Sequence, residues 1–120
     1  MPSLRKSEIV VATPADFAIM RGGRVVSAGI WDHVLTARAW KRDEVTTDQI
    51  VVALTLEDGT EFLVHEDVPG WEDFLEAIER ALPGMRPLQT WLAGISQPAF
   101  ARNETLLFER SRARSDDRRS

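Results

Sequence analysis

The chain has 120 residues, of which 43% are hydrophobic and 28% charged, with a formal net charge of -4. That length supports one hydrophobic core rather than two, and the balance is that of a globular chain, not a disordered or fibrous one. It has no cysteine, which excludes a disulfide framework, a thiolate nucleophile and a cysteine-ligated zinc site. The longest apolar stretch, "IVVAL" at 50–54, is too short for a signal peptide or a membrane span, so a cytoplasmic protein is expected.

In chain order, the β-branched run Ile9 to Ala12, ended by Thr13-Pro14, predicts a first strand, and "FAIM" at 17–20 a second. Gly22-Gly23 in "RGGR" can take the positive φ values of a two-residue hairpin turn, which makes "VVSA" at 25–28 the return strand. A turn from Gly29 to Asp32 then leads into a strand from His33 or Val34 to Lys41.

The next hairpin is set by side-chain parity. Ile50, Val52, Leu54 and Leu56 alternate on one face, and Phe62 and Val64 follow the Asp58-Gly59 turn. A two-residue loop would throw Phe62 and Val64 to the opposite face. A three-residue loop, Glu57-Asp58-Gly59 with Gly59 left-handed, instead pairs Leu54 with Phe62 and Val52 with Val64, which gathers one apolar face.

"EDVPGW" at 66–71 reads as a strand-to-helix joint. Pro69 disfavours helical geometry at Val68, so the helix starts after it, with Gly70 as N-cap and Glu72 and Asp73 beside the positive end of the helix dipole. Trp71, Phe74, Leu75, Ile78 and Leu82 then form one stripe, and Pro83-Gly84 ends it. Leu88, Trp91, Leu92 and Ile95 repeat the spacing in a second short helix before Pro98. "ETLLFE" at 104–109 predicts a final strand, and residues 110–120, "RSRARSDDRRS", lack a large apolar side chain and read as a disordered tail. A single domain over 1–109 is expected.

The charge is segregated. Residues 1–42 carry seven basic and three acidic side chains, residues 43–109 three and fourteen, and residues 110–120 five and two. The nine acidic residues from Glu57 to Glu79, without a Lys or Arg among them, read as a solvated face that can also steer a basic partner.

Candidate chemistry is sparse. His65 with Glu66 and Asp67, and Asp32 with His33, contain metal-binding or acid/base residue types, but neighbours in a strand point to opposite faces. A small enzyme or metal site therefore requires the fold to bring His33 and His65 together; otherwise no catalytic residue, metal ligand or cofactor is assigned. GxGxxG, GxxxxGKS/T and GxSxG are all absent, and "RGGR" has no following helix to bind a phosphate. The acidic body also argues against nucleic acid as a partner. Among the four tryptophans, Trp71 and Trp91 fall on apolar stripes, whereas Trp40 alternates with Arg38 opposite Ala37 and Ala39. Trp40, Arg38, Leu63 and the helix carboxylates Glu72, Glu76 and Glu79 are the candidate interaction residues, and Val51, Ala53 and Leu63 offer a second sheet face for self-association.

The order of "IWDHVLTARAWK", "IVVALTLEDGTEFLVHEDVPGW", a helix and "PAFARNETLLF" resembles a group of small uncharacterised bacterial proteins with a pleckstrin-homology-like fold. The resemblance spans about residues 25 to 108 and rests on Trp31, Thr47, Asp48, Asp58-Gly59, Glu66-Asp67, Pro69-Gly70 and Phe100. It implies a bent antiparallel sheet closed by a helix and a binding role. The second helix and last strand depart from it, and Arg21 and Arg24 are too few to carry over a basic lipid-headgroup pocket. The expectation is thus an α+β fold, a bent antiparallel meander packed on the helix from Trp71 to Leu82. Its expected function is a non-catalytic protein-interaction domain, for a protein partner or a second copy and not for a membrane.

Overall fold

The computed structural model describes residues 8–43, 48–95 and 104–110. The fold is α+β and antiparallel, and the meander divides into two sheets. The first holds β1 (Glu8–Ala12), β2 (Asp16–Arg21) and β3 (Arg24–Ile30) in that order. The second has the order β6-β5-β4-β7, from β4 (Val34–Asp43), β5 (Asp48–Leu56), β6 (Glu61–His65) and β7 (Thr105–Glu109). Two helices, α1 (Trp71–Ala81) and α2 (Leu88–Ile95), lie between β6 and β7 in the chain. None of the described helices is long and apolar enough to cross a membrane.

The division falls at a single 3-10 turn, Trp31–His33. The turn starts later than the residues suggest, because Gly29 is still inside β3. A Cβ there would stand 2.6 Å from the Phe17 ring, so the missing side chain is what lets β3 lie flat over Phe17. Trp31 then anchors the corner: its indole N–H donates to the Thr13 carbonyl at 2.8 Å and its backbone N–H to Ala15 at 3.1 Å.

One core joins both sheets and the helices. Phe17 is its hub, 4.5 Å from Trp31 and 4.6 Å from Phe62 between ring centroids, and Phe74 of α1 reaches Trp31, Phe62 and Trp71 at 6.1 to 6.5 Å. Such spacings suit tilted and edge-on aromatic contacts. The β5–β6 register is the one parity demanded, with Val52 opposite Val64 and Leu54 opposite Phe62. Leu56 donates its N–H to Thr60 at 2.9 Å across the turn, and Gly59 has a φ of 89°.

"EDVPGW" is built as a joint. The Glu66 N–H donates to the Ile50 carbonyl at 2.9 Å, and its carboxylate accepts the Ile50 N–H at 3.0 Å. Val68 is buried, the Pro69 carbonyl accepts the Val10 N–H at 2.9 Å, and Gly70 caps α1 with a φ of 94°. A Cβ at Gly70 would stand 2.1 Å from the Val10 carbonyl oxygen, so β1 approaches the helix start as closely as a backbone can.

Arg110, counted in the tail by composition, is held firmly. Its backbone N–H donates to Leu35 at 2.7 Å and its guanidinium to the Val34 and Trp31 carbonyls at 2.8 and 3.1 Å. Composition misses this because the partners are backbone oxygens of a distant corner. Thr47, Phe100, Pro98 and residues 111–120 lie outside the described residues.

Candidate interaction surface

The sheet register decides which candidate residues meet. On the outer face of the four-stranded sheet, Arg38 lies opposite Ala53 and Leu106, Ala53 opposite Leu63, and Trp40 opposite Val51, which faces His65. Trp40, Arg38 and Leu63 therefore share one surface. The Arg38 guanidinium donates to Glu104, just before β7, at 2.9 Å and to Glu61 of β6 at 3.0 Å, and lies 5.9 Å from the centre of the Trp40 ring. Between these long side chains, Val51 and Ala53 are 1% and 0% exposed. They are thus not available for self-association as the alternation suggests, because a small residue between long neighbours is covered by them. Leu63, at 39%, and Leu106 remain exposed.

Glu72, Glu76 and Glu79 stand elsewhere. They are exposed on α1, whose opposite side packs Phe74 and Ile78 into the core shared with Val52 and Leu54. The four-stranded sheet lies between them and Trp40. They form a separate acidic surface beside Arg80, next to a cavity of about 320 Å³ lined also by Ala12, Thr13 and Pro14.

The histidines do not meet. His33 is exposed at the β5–β6 turn, where its carbonyl accepts the Glu57 N–H at 2.9 Å, whereas His65 pairs with Val51 toward the other end of β5. The six residue steps from 51 to 57 separate them by roughly 20 Å at strand rise. Among the described residues no three His, Asp or Glu side chains converge on a common point. Asp58 has a local role: the Thr60 backbone N–H, at 2.9 Å, holds its carboxyl below the usual carboxylate range.

Residue-by-residue reading missed the outer face of the three-stranded sheet. There Ile9 lies beside Met20, which pairs with Val25, and Val11 beside Ala18, which pairs with Ala28. Ile9, Val11, Val25, Val26 and Ile30 are all exposed, Val25 by 60%. An open cleft of about 710 Å³ runs from this face past the β3 edge to Leu56, Glu57 and Asp58. The signal was present: "IVVA" and "FAIM" are apolar at successive positions, and "VVSAGI" at all but Ser27, the pattern of strands covered on both faces.

The class this architecture defines is an α+β domain of two antiparallel sheets around one aromatic core, not closed into a barrel. Comparison with protein families, curated proteins and solved structures found no match.

Proposed function

We propose that the chain is a non-catalytic protein-interaction domain of pleckstrin-homology-like architecture, acting in the cytoplasm. One observation carries the binding role. The outer face of β1, β2 and β3 presents contiguous apolar side chains to solvent, in a sheet whose other face already packs Phe17 and Ile19 into the core. A contiguous apolar patch rimmed by charge is the usual mark of a docking surface. The architectural reading is supported by two antiparallel sheets packed on an amphipathic helix; α2 and β7, after that helix, are additions to it.

The test is an affinity capture from extract with the whole chain as bait, comparing wild type with Val11→Asp and Leu63→Asp. Specific capture lost with Val11→Asp and kept with Leu63→Asp is the expected result. Capture indifferent to both substitutions would remove the basis for this reading.

A further inference from the structure

The exposed apolar groups are unevenly distributed. Of the seven large apolar side chains exposed among the described residues, Ile9, Val11, Val25, Val26 and Ile30 belong to β1 and β3, and only Leu63 and Leu106 to the other sheet. Charge around this apolar centre is segregated by strand end. At the β2–β3 turn Arg21 is already paired with Glu8, while Arg24 forms no ion pair among the described residues. At the opposite end lie Asp16, paired in register with Ile30, and the exposed Asp32, Glu57 and Asp58.

We infer that the occupant of this face is a second copy of the chain. Two copies pack outer face to outer face through β1, β2 and β3 about a twofold axis running across the strands. This rests on the interaction reading above and names its partner. A surface with an apolar centre, a basic end and an acidic end becomes complementary to itself when reversed end for end, and that reversal is what a twofold axis across the strands produces. Each Arg24 then lies against the Asp16 and Asp32 end of the other copy. A twofold axis along the strands would instead set the two acidic ends together, so charge selects between the two arrangements. Packed in this way, the sheets form a sandwich whose new interior holds Val11, Ala18, Val25 and Ala28 from each copy.

Size sets the strength. Three strands at about 4.8 Å spacing and six residues at about 3.3 Å rise give a footprint of roughly 300 Å². A standard stable interface buries about 800 Å² of accessible surface on each partner. So small a footprint places the dimer among weak associations that form and dissociate with concentration.

Sedimentation equilibrium of the whole chain, from low micromolar to submillimolar concentration, tests this. A monomer–dimer equilibrium is expected. Val25→Asp should weaken it ~100-fold or more, because each copy would bury an unpaired carboxylate, while Leu63→Asp leaves it unchanged. Arg24→Glu should weaken it less, and adding Asp32→Lys to Arg24→Glu should recover part of the loss, since the swapped charges meet again across the twofold axis. Far-ultraviolet circular dichroism and unfolding of each variant separate lost association from lost folding, and an exposed position such as Val25 tolerates the change. A monomer at every concentration overturns the dimer, as does a dimer broken by Leu63→Asp but not by Val25→Asp. If the chain is monomeric yet Val11→Asp still abolishes capture from extract, the second copy is wrong and the interaction reading stands; if capture is also indifferent, both fall.

Discussion

The outer faces of the two sheets begin from similar strands and end in opposite states. On the four-stranded sheet, Arg38 spans from Glu61 to Glu104, lies against Trp40, and leaves Val51 and Ala53 without contact to water. On the three-stranded sheet the corresponding positions hold Ala18, Ala28 and Val25, with Met20 beside them but no long charged side chain like Arg38 across them, and Ile9, Val11 and Val25 stay exposed. A sheet face can be covered by its own long polar side chains, whose stems pack on apolar neighbours while their heads stay hydrated. A face of short and branched residues has no such cover of its own. The edges differ likewise: the β1 edge is met by the Pro69 carbonyl and Gly70, whereas the cleft opens beside β3.

The contrast can be broken experimentally. Gly70→Ala should have the largest effect, about 3 kcal/mol or more, since the new Cβ meets the Val10 carbonyl at a positive φ and severs β1 from the helix start. Urea unfolding would measure it, and a loss under about 1 kcal/mol would show that β1 is not held there. Next comes a matched pair, Ala53→Asp and Ala28→Asp. The first places a carboxylate at a fully buried position and should cost about 3 kcal/mol. The second adds it to an exposed position of the bare face and should change monomer stability by no more than about 0.5 kcal/mol. Equal effects would erase the distinction between the faces.

Arg38→Ala should cost about 1 kcal/mol, from lost packing over Ala53 as well as from two partly exposed ion pairs. Because screening weakens only the ionic share, most of the loss should persist in high salt, and its disappearance there would reduce Arg38 to a surface charge. The smallest effect is at Asp58. Its carboxyl is held below the ordinary range by the Thr60 N–H, so its contribution is present above the unfolded-state pKa and fades as pH falls through the lower folded-state value. Asp58→Asn should flatten that acid-side slope in thermal melts between pH 5 and pH 2, roughly the window of carboxylate titration. An unchanged slope would assign it to other carboxylates.

Much of the fold was legible because local rules and the global packing agree. The parity of Ile50 to Val64 chose the loop length, and the structure has that register with Gly59 left-handed. Pro69 and Gly70 located the helix start, and the stripe from Trp71 to Leu82 became its buried side. Trp31 carried no such signal: its place at the corner depends on the Thr13 and Ala15 carbonyls, which lie in another turn. Arg110 escaped for the same reason.

The amino-acid order by itself determined the strands, the helices and, in β5, β6 and α1, the face that apolar residues turn inward, because these follow from periods of two and 3.6 and from the torsion limits of proline and glycine. Which outer faces stay exposed was decided only by tertiary structure. Alternation in β5 puts Ala53 away from the core but gives Ala28 no face; only the sheet register states that Arg38 lies opposite Ala53, while Ala28 lies opposite Ala18. Burial on an outer face depends on the reach of neighbours brought together across strands, and in the linear chain those neighbours are far apart.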